Sequence, residues 1–200
     1  MARKSVFNLT KKEFHFLENE MYPKTKQRVI QKLCKHFADI GDSLKENVKI
    51  ENKILKSGIQ NSSFKITKGE NYKGLPYVVL DYPQIKSKEF TVLFRTMFWW
   101  GKYISLNLIL KTSLFNTEKL AGEILKTEFR KLKMYSGEDI WENDLSDKGF
   151  ILVKKLTEKQ IQKIISEQKF IKVSLKIPFK RLDKLDSIAL EFYKKCIANL

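Results

Sequence analysis

The chain of 200 residues carries 39 lysines and arginines against 23 aspartates and glutamates, a formal net charge of +16, with 42% hydrophobic and 31% charged residues. That balance excludes a disordered or fibrous chain and suffices for one buried core without metals or cross-links. Cys34 and Cys196 are too few and too far apart for a disulfide framework, and neither has a cysteine or histidine at ligand spacing, so a reducing, cytoplasmic compartment is expected.

Arg3, Lys4, Lys11 and Lys12 interrupt residues 1–14 before an apolar run long enough for a signal peptide develops, so export is not expected. Thr10-Lys11-Lys12-Glu13 has capping-box spacing and predicts a short helix to about residue 21. Tyr22-Pro23 closes that helix and opens a second one, because proline suits a first helical turn and not an interior. There Val29, Ile30, Leu33, Phe37 and Ile40 recur at three- and four-residue spacing and mark one buried stripe. Residues 45–59 fit neither the helical nor the strand period, and Gly58 with Asn61-Ser62-Ser63 signals a turn.

From Phe64 the pattern predicts strands over 64–67, 75–82, 90–100 and 103–111, the last two joined as a hairpin around Gly101. Gly69-Glu70-Asn71-Tyr72-Lys73-Gly74 spaces its glycines like a phosphate loop, but Leu75-Pro76 stands where lysine and a hydroxyl are needed, so a tight turn is predicted. Residues 91–110 are apolar enough to suggest a membrane span. Arg95 and Lys102 would each cost about 2.5–3.5 kcal/mol near its centre, and Gly101 divides the stretch into two strand-like halves, so no membrane partner is expected.

Asn116 or Thr117 is placed to cap a helix to about residue 133, with Leu120, Ile124, Phe129 and Leu132 near helical spacing. An acidic loop over 137–147 then gathers Glu138, Asp139, Glu142, Asp144 and Asp147 around Ile140 and Trp141. It lacks the central glycine and terminal glutamate of a calcium loop, and its expected role is to offset nearby lysines while Trp141 anchors it. Residues 149–155 are strand-like, and Thr157-Glu158-Lys159-Gln160 offers a second capping box for a helix to about 168. Ile171, Val173, Leu175 and Ile177 alternate with Lys172, Ser174 and Lys176, which predicts a strand with one wet face, closed by Pro178. A final helix carries Leu185, Ile188, Ala189, Phe192 and Ile197. No repeat or linker divides the chain, so a single α+β domain over 1–200 is expected, with helices packed on a mainly antiparallel sheet.

His15 and His36 each lie on a predicted helix beside phenylalanine, without the i+4 histidine or carboxylate pattern of a zinc site. No Gly-x-Ser-x-Gly elbow is present either, so no catalytic residue, metal or cofactor is expected.

Tyr72-Lys73-Gly74-Leu75-Pro76-Tyr77-Val78-Val79-Leu80-Asp81-Tyr82-Pro83 and Phe94-Arg95-Thr96-Met97-Phe98-Trp99-Trp100-Gly101 form the most distinctive part of the chain. The GLPYVVLDYP strand and the RTMFWWG hairpin resemble the signature of a family of small bacterial proteins. That family has no established activity, so the resemblance implies a coherent segment and no function.

Register decides what this segment presents. A three-residue hairpin loop places Arg95 opposite Asn107 and Met97 opposite Ser105, whereas a two-residue loop pairs Arg95 with Leu106 or Leu108. In the first case Asp81, Arg95, Ser105 and Asn107 gather with Tyr77, Trp99 or Tyr103 on one face, which suits an anionic or planar ligand. The rival reading is an Asp81–Arg95 pair closed on itself inside a covered sheet.

The reading drawn from these residues is a cytoplasmic, non-catalytic ligand-binding or protein-interaction protein using the aromatic hairpin 94–103. Its contact residues are Asp81, Arg95, Trp99, Trp100, Tyr103, Ser105 and Asn107. The alternative is nucleic-acid binding through lysine-rich helix faces, suggested by the +16 charge and 12% aromatic residues. Against it, the charge is spread as +7, +4 and +5 over residues 1–66, 67–112 and 113–200, and only Arg3, Arg28, Arg95, Arg130 and Arg181 supply the guanidinium fork that specific recognition favours. A third reading is an enzyme with an Asp81/Arg95 pocket.

Overall fold

A computed structural model describes residues 7–47, 62–86, 91–111, 122, 124–126, 129, 131–168 and 170–197. The expected cap at Asn116 or Thr117 and most of the unassigned stretch 45–59 lie outside the described residues. Helix α1 (Lys11–Glu18) starts at Thr10 with both capping-box bonds formed: the threonine side chain accepts from the Glu13 amide, and the Glu13 carboxylate accepts from the Thr10 amide at 2.7 Å. None of the α1 residues is buried, and Phe7, Phe14, Phe16, Leu17, Met21 and Tyr22 are exposed. Helix α2 (Met21–Asn47) takes Pro23 into its first turn and buries Ile30, Leu33, Phe37, Ile40, Gly41 and Leu44 along one stripe.

Seven strands follow among the described residues: β1 (Lys65–Tyr72), β2 (Leu75–Lys86), β3 (Thr91–Trp99), β4 (Tyr103–Lys111), β5 (Leu132–Tyr135), β6 (Phe150–Leu152) and β7 (Ile171–Ile177). They form one sheet in the order β1-β2-β3-β4-β7-β5-β6, and every neighbouring pair is antiparallel. The fold is therefore α+β. Strands β1 and β2 are joined by Lys73 and Gly74 alone, both at positive φ (49° and 81°), the backbone form that a two-residue hairpin turn needs. The apolar stretch 91–110 is the β3–β4 hairpin, and among the described residues no helix is long and apolar enough to cross a membrane.

Alternation gives the sheet two different faces. One presents Val78, Leu80, Phe94, Phe98, Leu106 and Leu108, and on it pack α2, helix α3 (Glu158–Glu167) and helix α4 (Leu185–Ile197) through Phe37, Ile161, Ile165, Leu185 and Phe192. Each fully buried side chain of this kind stabilises the fold by about 1.5–3 kcal/mol. The opposite face is covered by the loop 136–149, whose ends meet where the Ser136 amide donates to the Gly149 carbonyl at 2.8 Å.

Three expectations are corrected. The strand expected over 149–155 ends at Leu152, and Val153–Lys155 turn as a 3-10 helix. The helix drawn to about residue 133 ends earlier, because Leu132 and Met134 point into the helix-side core while Lys133 and Tyr135 face the other way, the two-residue period of β5. The wet face of β7 is not wet: Lys172 and Ser174 are fully buried under the loop, and Lys176 alone of the three is exposed.

Candidate functional site

Sheet register sets a transverse row of polar side chains on the loop-covered face. Lys65, Asp81, Arg95, Asn107, Ser174 and Lys133 stand opposite one another across β1, β2, β3, β4, β7 and β5. The hairpin loop spans three residues, so Arg95 faces Asn107 and Met97 faces Ser105. Arg95 donates through Nε and a terminal nitrogen to the two Asp81 oxygens at 2.8 and 2.9 Å, a bidentate pair with side-chain exposures of 15% and 6%. Asn107 donates to the Arg95 carbonyl at 3.3 Å and to Ser105 Oγ at 3.0 Å, and its own oxygen accepts from Ser174 Oγ at 2.7 Å. From Asp81 to Ser174 the row is thus a hydrogen-bonded line through the middle of the sheet, with Lys65 and Lys133 at its two ends outside it.

The loop is fastened to this face by side chains rising from four strands. Tyr72 OH donates to Glu142 at 2.7 Å and accepts from the Asn143 amide at 2.7 Å. Tyr103 OH donates to the Asn143 carbonyl at 3.1 Å and accepts from the Leu145 amide at 2.7 Å. Lys133 donates to the Leu145 carbonyl at 2.5 Å. Lys172, opposite Ile109 and one residue before Val173, donates to the Ile140 carbonyl at 2.9 Å, to the Glu142 carbonyl and to Asn143 Oδ1 at 3.3 Å. Outside the sheet, Lys73 joins Glu142 at 2.9 Å and Asp144 at 3.4 Å.

Titration follows from these surroundings. Burial, with the Arg95 guanidinium as a like-charged neighbour, pushes Lys172 down to about 7, and Glu142 and Asp139 only partly oppose it. Burial raises both the Tyr72 and Tyr103 phenols above the usual range, and Glu142 adds to the rise at Tyr72. Glu142 and Asp144 are held below the usual carboxylate range despite burial, chiefly by loop amides, the Ser146 hydroxyl and Lys73.

At the rim of the loop Trp141 is 45% exposed, with the Arg95 guanidinium 5.0 Å and Lys86 Nζ 5.7 Å from its ring centroid. Lys86 reaches this face because a bulge between Asp81 and Gln84 shifts the alternation of β2 by one residue, so Lys86, Thr91 and Lys111 form the last row on the Arg95 side. Beside Trp141, Ile140 walls a cavity of about 550 Å³ whose other sides are Phe170, Lys111, Glu138, Glu167 and Gln168. Among the described residues no three His, Cys, Asp or Glu side chains stand together to hold a metal ion.

Of the residues expected from sequence, Asp81, Arg95, Ser105 and Asn107 come together. Trp99 and Tyr103, expected as surface contacts, are instead core side chains at 2% and 5% exposure, because Tyr72 and the loop close over them. Trp99 donates to the Tyr72 carbonyl at 3.2 Å and its ring lies 5.1 Å from Tyr72 and 5.6 Å from Tyr103. Trp100 turns to the helix side, partly buried against Phe98. Sequence alone does not single out Lys86 or Lys172, and Trp141, expected as an anchor, stands half in solvent. Lys172 carried no local signal, since a lysine alternating with apolar residues reads as solvent-facing. No family model, no curated protein and no solved structure matches the chain.

Proposed function

We propose that the protein is a cytoplasmic, non-catalytic binding protein that takes a planar anion on the Trp141 indole, between Lys86 and Arg95. The observation that carries this reading is a half-exposed tryptophan with two cations within 6 Å of its ring centroid. An aromatic ring stacks on the free part of the indole while its negative group meets Lys86 and the accessible edge of Arg95. The Asp81 pair holds the guanidinium still, so little side-chain freedom is lost on binding. The cavity beside it adds apolar wall from Ile140 and Phe170, while Glu138 and Glu167 outweigh Lys111 there, so the anion's charge is met at Lys86 and Arg95 and not in the cavity. Two free thiols, Cys34 and Cys196, support the reducing compartment.

Calorimetric titration with adenosine monophosphate and naphthalene-1-sulfonate, with uncharged adenosine as the control, tests the reading. Both anions are expected to bind and adenosine is not, and Trp141→Ala and Lys86→Glu each remove the binding. Absence of heat from either anion at millimolar concentration, or binding unchanged in Trp141→Ala, would refute it. Binding of oligonucleotides in its place, with a steep loss of affinity as salt rises, would move the assignment to a polyanion surface.

A further inference from the structure

We infer that the loop 136–149 is a proton-sensitive cover for the Trp141 site, and that Lys172 is the positioning residue that governs its closure. This rests on the binding reading above, because the cover is what holds Trp141 against Arg95. The geometry is unusual for a lysine. Its ammonium is fully buried and all three polar contacts are to neutral oxygens of the loop, the Ile140 and Glu142 carbonyls and Asn143 Oδ1. Its Nζ lies over the Tyr135 and Phe150 rings, 5.8 Å from each centroid. Among the described residues no carboxylate forms an ion pair with it. The charged or titratable groups that face it are Arg95 on β3, Tyr135 and Lys133 on β5, and Glu142 and Asp139 in the loop; β6 contributes Phe150 and β4 contributes Ile109.

A positive charge enclosed in this way is better hydrated with the loop lifted than with it closed. The neutral amine still donates two hydrogens to the loop and carries no desolvated charge. The sign follows by linkage. The closed form holds Lys172 near 7 and the lifted form returns it toward its ordinary 10.5, so the lifted form binds more protons between those values. Closure is tightest at alkaline pH, is lost progressively as pH falls toward 7, and changes no further below that. Among the other fastenings, Tyr72 and Tyr103 are pushed up and Glu142 and Asp144 are pushed down, away from this window. His15 and His36 lie on α1 and α2, away from this face.

The test is hydrogen exchange at the Asn143 and Leu145 amides, which the two tyrosine hydroxyls hold, expressed as protection relative to the unfolded peptide between pH 6 and 9.5. In the wild-type chain the opening fraction is expected to rise by up to about tenfold per pH unit as pH falls from 9.5 to 7, the limit for one proton, and then to level off. Lys172→Met removes the titrating group and Lys172→Arg keeps the charge throughout; both are expected to show no such slope, whatever their baseline protection. A flat wild-type profile, or a slope that persists in either variant, would overturn the inference. Naphthalene-1-sulfonate, whose charge is constant over this range, should bind more tightly at pH 9 than at pH 7, a gain that attraction to a cationic surface alone does not give. An absent slope with anion binding intact sinks the cover and leaves the site; a slope without anion binding sinks the site.

Discussion

The two faces of the sheet solve burial differently. On the helix side, apolar side chains meet apolar side chains, and the covering helices satisfy their own main chains internally. On the loop side, the sheet sends up Tyr72, Tyr103, Lys133 and Lys172, and the covering chain answers with carbonyls and amides that have no regular secondary structure to pair with. A loop can cover a polar face because each side supplies what the other lacks. The lesson is that polar residues inside a sheet do not by themselves mark a site. The site we propose lies instead where the cover ends and Trp141 stands half in water beside two cations.

Substitutions on the two faces should therefore differ in size and in what they affect. Phe94 is buried between Phe192 and Tyr193, at ring distances of 5.5 and 4.7 Å. Phe94→Ala should cost about 3–5 kcal/mol in urea unfolding, the range for an aromatic removed from a packed core. Arg95→Met leaves the Asp81 carboxylate buried and unpaired and should cost about 3 kcal/mol, while adding Asp81→Leu should recover most of that loss. Failure of the double variant to recover would mean that the pair is needed for more than its own neutralisation.

Smaller effects sharpen the contrast. Tyr103→Phe orphans the Asn143 carbonyl and the Leu145 amide and should cost about 1–2 kcal/mol, seen also as faster exchange within the loop. Trp141→Ala should cost less than about 1 kcal/mol, because nearly half of the side chain is already in solvent, yet it should abolish anion binding. A large stability loss there would make Trp141 part of the core and not of a contact surface.

Much of this fold is readable in the residues because it rests on local periodicity. The β3–β4 hairpin, both capping boxes and the α2 stripe each depend on residues close in sequence. The opposition of Arg95 with Asp81 and Asn107 also follows once the three-residue turn around Gly101 is chosen. What escapes is set by distant partners. Lys172 and Ser174 alternate with isoleucine, valine and leucine as solvent-facing residues do; the return of the loop some 30 residues earlier in the chain buries Lys172, and Ser174 is engaged by Asn107 on the neighbouring strand. Strand β5 is four residues long, and Leu132 stands three residues after Phe129, a spacing that serves a helix equally well. The reach of Lys86 to Trp141 depends on a bulge between Asp81 and Gln84; Pro83 marks an irregularity there, but not which face the residues beyond it take. The one hint in the sequence was an acidic loop holding Ile140 and Trp141 in an otherwise basic chain.

Native-state hydrogen exchange across the whole sheet, at constant pH and increasing denaturant, tests most directly whether the loop is a separable cover over a rigid sheet. The amides of Asn143 and Leu145 should exchange through an opening of distinctly lower free energy and weaker denaturant dependence than those of Leu106 and Val173 in the central strands. If all four instead exchange together at the free energy of global unfolding, the loop is part of the core and the account of this face is contradicted.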